Sequence, residues 1–119
     1  MYKRVEPEGS EAAEVVLIGE APAREESERG RPFVGSAGQY LDNFLRMSGL
    51  FRGELYITNI LKYRAPGDKI DRVPLEELQT ARTELIEEIN SLENVKVIVP
   101  LGKYAMETVT DRRGITNFR

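Results

Sequence analysis

Along the chain, short unbroken apolar runs alternate with stretches in which apolar side chains recur every three or four residues. These are the signatures of buried strands and of helices packed on one side. Val15-Val16-Leu17-Ile18 is the first run; its β-branched residues favour a buried strand, and Gly19 ends it. Gly19-Glu20-Ala21-Pro22 reads as the strand exit, and the charged stretch from Arg24 to Arg31 as a solvated connection leading to Pro32-Phe33-Val34-Gly35. Ser36 is placed to cap a helix over Ala37 to Ser48, with Leu41, Phe44, Leu45 and Ser48 near one face and Gly49 as its stop.

Glu54 through Leu61 predicts a second strand, followed by a polar connection from Lys62 to Val73 that contains the turn-like Ala65-Pro66-Gly67-Asp68. Pro74 suits the first turn of the next helix, whose apolar face is Leu78, Ala81, Leu85, Ile89 and Leu92. Val95 through Leu101 is the third strand, with Pro100 ending its regular hydrogen bonding or placing it near an edge. Gly102 permits a bend into a helix beginning near Lys103, with Tyr104, Ala105 and Val109 inward and Asp111 through Gly114 as its exit. The order β, α, β, α, β, α predicts an α/β fold of three layers, α/β/α, around a mainly parallel sheet. One domain over 1–119 is expected, with the weakly patterned residues 1–13 as a flexible lead. Ligands of such sheets approach the carboxyl ends of the strands, where Gly19, Asn59 and Gly102 fall.

Composition narrows the chemistry. The 119 residues suffice for one core, and 40% hydrophobic with 31% charged residues fits a soluble surface around it. No run approaches the length of a bilayer span, and Met1 is not followed by the apolar stretch of a signal peptide, so no membrane partner and a cytoplasmic location are expected. The chain has no cysteine and no histidine, which excludes disulfides, thiolate metal ligation and the usual physiological-pH acid or base. Chemistry falls to carboxylates, amides, hydroxyls, lysine and arginine. The net charge of -3 argues against nucleic-acid affinity from overall charge. Basic blocks at 46–72 and 96–119 nevertheless alternate with acidic ones at 1–28 and 73–95. They are either solvated faces or surfaces that converge on a polyanion.

Glu20, immediately after the first strand, either satisfies loop amides or accepts a proton from water in a cleft. The Asn59 amide either closes its strand or both donates to and accepts from a planar base. Phe33 either packs locally or stacks on that base. A carboxylate, a stacker and an amide on successive β/α connections together suit recognition and cleavage of an attached nucleobase. The Gly19 segment lacks the dinucleotide GxGxxG pattern, and Gly35-Ser36-Ala37-Gly38 lacks the lysine and spacing of a P-loop. Ser36 is still a candidate phosphate contact at a helix start.

Gly19-Glu20-Ala21-Pro22, then Glu26, then Gly30-Arg31-Pro32-Phe33-Val34-Gly35-Ser36-Ala37-Gly38 resemble the uracil-DNA glycosylase superfamily, nearest its iron-sulfur-containing family 4 branch. Tyr56-Ile57-Thr58-Asn59-Ile60-Leu61-Lys62, Pro74 through Leu85 and Val97 through Tyr104 extend the likeness. The resemblance implies a DNA repair enzyme that hydrolyses the N-glycosidic bond of uracil in DNA. It assigns Glu20 to the catalytic water, Phe33 to stacking on uracil and Asn59 to its polar edge. Gly19, Ala21 and Pro22 become the pocket scaffold, and Lys62 joins Ser36 as a possible phosphate contact. Ala23 departs from the glycine usual after Gly-Glu-Ala-Pro. Tyr63 and Ala81 stand where two cluster cysteines are expected, and the paired amino-terminal cysteines are absent, so no cofactor is expected. The chain stops before the strand and histidine-containing loop that complete such a site. It therefore reads as an amino-terminal portion whose partners are uracil-containing DNA and a carboxyl-terminal remainder or partner protein. The alternative is a noncatalytic glycosylase-like module for DNA binding or protein assembly.

Overall fold

A computed structural model describes residues 3–110. Strands β1 (Glu8–Gly9), β2 (Val15–Gly19), β3 (Tyr56–Asn59) and β4 (Val97–Pro100) form one sheet in the order β1-β3-β2-β4. β2 runs parallel to both β3 and β4, while β1 lies antiparallel on the far edge of β3. Four helices connect and flank them: α1 (Arg24–Arg29), α2 (Ser36–Ser48), α3 (Leu75–Asn90) and α4 (Lys103–Val109).

Because strand side chains alternate between faces, the run Val15–Ile18 feeds two cores at once. Val16 and Ile18 pack with Tyr56, with Leu78, Ala81, Leu85 and Ile89 of α3, and with Ala105 of α4. Leu17 and Ile57 turn the other way, onto Leu41 and Leu45 of α2. The sheet is thus the middle of three layers, as an unbroken apolar strand flanked by helical spacings requires. Among the described residues no helix is long and apolar enough to cross a membrane.

Several boundaries differ from the sequence reading, each for a tertiary reason. Val5 is buried, its amide donates to the Lys62 carbonyl (2.6 Å), and Glu8–Gly9 pair with β3, so the region read as a flexible lead contributes an edge strand. The charged stretch after Pro22 forms α1, with Glu26 buried rather than solvated. Gly35, not Ser36, caps α2, and Phe44 is 63% exposed instead of facing the core. β3 is shorter than Glu54–Leu61: Arg52–Glu54 form a 3-10 turn, and the buried Ile60 and Leu61 lie past the strand. Their amides donate to the carbonyls of Gly19 and Glu20 (2.9 Å each), which ties the exits of β2 and β3 together. β4 occupies the sheet edge, in keeping with Pro100. The exit read at Asp111–Gly114 lies outside the described residues.

Candidate functional site

The parallel register sets Gly19 directly opposite Asn59 at the carboxyl end of the sheet. Both belong to the face that carries α2, and Asn59 is only 4% exposed. A Cβ on Gly19 would lie 2.6 Å from the Phe33 ring and would overlap the Asn59 amide oxygen. Gly19 is therefore the position where aromatic ring and amide both approach the backbone, and only hydrogen fits between them.

Phe33 reaches this position in a left-handed backbone conformation (φ 53°), uncommon for a residue with a side chain and costing of order 1–3 kcal/mol. Two side chains compensate. Arg52 donates to the carbonyls of Phe33 (2.9 Å) and Pro32 (2.7 Å) and reaches Glu8 on β1 (2.7 Å). Glu26 accepts from Ala23 at the start of α1 (3.1 Å) and from Val34 (3.0 Å) and Gly35 (2.6 Å) on the far side of Phe33. Sequence reasoning gave neither residue a role in the site. The signal for Glu26 is its place three residues after Ala23, the capping-box offset; Arg52 has no local signal.

Glu8 also pairs with Arg31 (2.6 Å), so one carboxylate ties the residue before Pro32 to the arginine that holds the Phe33 carbonyl. Burial raises its carboxyl, but the Arg52 and Arg31 guanidiniums outweigh that and hold it below its ordinary value of 4.5. A group depressed on folding contributes stability that is complete above its unfolded value and drains as pH falls through the folded one. We expect the Tm of the native protein to fall more steeply than that of Glu8→Gln below about pH 4.5. Equal slopes in a thermal melt series would reject the ion pair as the clamp on Phe33.

Glu20 turns toward the opposite layer. Its Oε2 accepts from the amides of Tyr104 (2.6 Å) and Ala105 (3.2 Å) in the first turn of α4. Backbone N–H groups at a helix start favour a carboxylate. Gly102, which caps α4, has a φ of 106°, and a Cβ there would lie 2.6 Å from that same oxygen. Phe33 and Asn59 are thus brought together around Gly19, whereas Glu20 stands at the same end of the sheet, held to α4. Ala21 packs on the α3 core and Pro22 is buried, making a fixed bend beneath Glu20.

The two residues read as phosphate contacts stand differently, Ser36 on the surface and Lys62 inside. Ser36 is exposed as the first residue of α2 and lines a depression of about 510 Å³ with Arg24, Glu25, Glu26 and Asp68, the last of which is paired with Arg64. The amides of Val34 and Gly35, just before α2, serve Glu26. Lys62 is 7% exposed and faces inward, donating to Thr58 Oγ1 (2.9 Å), Glu88 Oε1 (2.8 Å) and the Asn59 carbonyl. Tyr56 donates to the other Glu88 oxygen (2.7 Å). Burial pushes the Lys62 ammonium down against the pull of Glu88, and burial followed by the Glu88 carboxylate pushes the Tyr56 phenol up.

The iron-sulfur cluster implied by the resemblance does not fit these residues. The whole sequence has no cysteine, Tyr63 donates its hydroxyl to Glu77, and Ala81 is buried in the α3 core. Among the described residues no cluster of three acidic side chains is arranged to hold a metal ion. What the arrangement offers is a recessed amide beside an aromatic ring, with a carboxylate one residue away.

Residues 6–118 match the sequence profile of the uracil DNA glycosylase superfamily. Type-4 uracil-DNA glycosylase from Archaeoglobus fulgidus is 42% identical over 101 residues, which are 85% of this chain and 49% of that protein. The type-4 enzyme of Thermotoga maritima is 38% identical over 92% of the chain and 55% of its own length. That of Sulfurisphaera tokodaii is 35% identical over 90% and 48%. The chain spans about half the length of the curated relatives it matches. Over residues 6–118, which include the Gly19, Phe33 and Asn59 segments, this chain belongs to the uracil DNA glycosylase superfamily and is homologous to its type-4 members.

Proposed function

We propose that the chain is the base-binding half of a DNA repair glycosylase that hydrolyses the N-glycosidic bond of deoxyuridine. The observation that carries this reading is the meeting of the Phe33 ring and the Asn59 amide at Gly19, one residue before Glu20. An extruded uracil stacks on Phe33 and exchanges hydrogen bonds with Asn59, whose amide supplies both a donor and an acceptor. Gly19, Ala21 and Pro22 bring backbone close to the base.

In the reaction the C1'–N1 bond lengthens and its electron pair leaves with uracil, so positive charge grows on the sugar and negative charge on the base. Amide donors stabilise the departing base, and the carboxylate of Glu20 stabilises the sugar cation. Water adds its oxygen to C1' and passes its proton to Glu20, leaving an abasic site. The amides of Tyr104 and Ala105 hold one carboxylate oxygen, and among the described residues Oε1 takes no hydrogen bond, which leaves it to water. The reaction would take place in the cytoplasm, on DNA whose uridine has been flipped out of the stack.

The test is uracil release from single- and double-stranded uracil-containing DNA by this chain alone and by the chain joined to the second half of a type-4 relative. Release by the joined form supports the reading; no release by either overturns it. A second reading, a noncatalytic module for DNA association or assembly, draws support from Glu20 being engaged by α4. It predicts salt-dependent DNA binding without release in both forms.

A further inference from the structure

Asn59 is 4% exposed, and among the described residues no hydrogen bond reaches its side-chain amide; those it does make run through its backbone carbonyl. Buried polar groups are seldom left without partners, and here the open positions are the ones the proposed base would fill. An amide with no hydrogen bond of its own is directed only by packing and by the main chain that carries it. Packing acts where the Gly19 backbone approaches Oδ1. The main chain is held from the other face of the sheet.

Side chains alternate along β3, so Asn59 shares the α2 face with Ile57, and Thr58 shares the α3 face with Tyr56. The Lys62 ammonium has three N–H groups. They go to Thr58 Oγ1 (2.9 Å), to Glu88 Oε1 on α3 (2.8 Å) and to the backbone carbonyl of Asn59. No donor is left over for a phosphate, and the ammonium stands on the face opposite the Asn59 amide. Thr58 Oγ1 lies 3.5 Å from the same carbonyl, at the outer limit of a hydrogen bond, so the charged donor dominates.

Lys62 is itself anchored at both ends. Its own carbonyl accepts from the Val5 amide (2.6 Å), and the Glu88 carboxylate that fixes its ammonium is fixed in turn by Tyr56 (2.7 Å). A side chain that is long and flexible on a surface becomes a strut from α3 to the peptide that follows Asn59. Ile60 and Leu61, between the two ends of this strut, bind the carbonyls of Gly19 and Glu20. Rotation of the Asn59 peptide would therefore turn the amide relative to Gly19 and the Phe33 ring beside it.

We propose that Lys62 is the positioning residue of Asn59: through the Asn59 carbonyl it sets the direction in which the side-chain amide meets an extruded base. Lys62 acts from behind the strand and touches neither base nor phosphate. The inference rests on the base-binding reading given above, and its test is read separately from that reading.

The triple change Lys62→Met, Glu88→Leu and Tyr56→Phe removes the ammonium without leaving a lone buried carboxylate. Because the chain has no cysteine, Lys62→Cys can be alkylated with 2-bromoethylamine while unfolded and then refolded, which restores an ammonium on a side chain of lysine length. In the unliganded chain, 15N relaxation of the Asn59 side-chain NH2 group is expected to give an order parameter that falls from about 0.85 to below about 0.6 in the triple variant and in unalkylated Lys62→Cys, and recovers on alkylation. In the chain joined to the second half of a type-4 relative, the triple variant is expected to lose about 10- to 100-fold in kcat/KM for uracil release, and alkylated Lys62→Cys to regain it. Leu92→Ala, which loosens the same core beyond the end of α3, keeps the native kcat and KM and so controls for stability alone. An Asn59 amide that stays ordered in the triple variant overturns the proposal. So does a loss of order that alkylation fails to reverse, or an unchanged kcat/KM in an active joined form. Absence of uracil release by the native joined form overturns the catalytic reading instead, and the NH2 relaxation then decides the role of Lys62.

Discussion

Replacing Lys62 by methionine is expected to destabilise the protein by about 3–5 kcal/mol, because it leaves the Glu88 carboxylate buried without its cation. Lys62 and Glu88 side chains are only 8% and 15% exposed, and the pair links the exit of β3 to α3. Burial already pulls the Lys62 ammonium below its ordinary value, so desolvation outweighs the attraction of Glu88 and the pair is a fixed geometry more than a net gain. The triple change Lys62→Met, Glu88→Leu and Tyr56→Phe, which removes both charges and the phenol bonded to Glu88 together, should recover most of the loss. Urea denaturation of the single and triple variants checks this. A single variant as stable as the native protein, or a triple variant worse than the single, would refute the account.

The second large effect concerns Glu20. In a form of the protein that releases uracil, Glu20→Gln is expected to lower kcat by about 10²–10⁴-fold, the usual contribution of a positioned acid or base. Glutamine keeps the acceptor oxygen for the amides of Tyr104 and Ala105, so the melting temperature should move little. Gly102→Ala attacks the same group from the other side: its methyl would stand 2.6 Å from Oε2 in a backbone conformation that side chains avoid. It should reduce kcat and also lower the melting temperature, since the start of α4 must shift. Single-turnover kinetics with thermal melts separate the two variants. Full activity in Glu20→Gln would leave Glu20 as the cap of α4 and nothing more.

These two sites explain how differently the parts of the protein were legible in the sequence. The apolar spacing of Leu78, Ala81, Leu85 and Ile89 identified α3 and its buried face, since a period near 3.6 has one geometric meaning. The run Val15–Ile18 identified the central strand for the same kind of reason. Short elements carried no such period. β1 has two residues and α1 six, and both are held by partners elsewhere: β1 by β3, and Glu26 by amides eight and nine positions away. The expected burial of Phe44 failed because its helical position is apolar, but its flank of α2, with Tyr40 and Met47, is left exposed among the described residues. Lys62 read as a surface cation and lies inside, where Glu88, twenty-six residues later, makes burial tolerable.

By itself the sequence determined the α/β class, the order of the main strands and helices, and the three segments that mark the superfamily, because each is encoded by spacing or type within a few neighbouring residues. Only the tertiary structure decided that Phe33 and Asn59 converge on Gly19 while Glu20 is held to α4, 84 positions further along. Parallel pairing sets distant strand ends side by side, and hydrogen bonds formed across that arrangement leave no periodic trace along the chain.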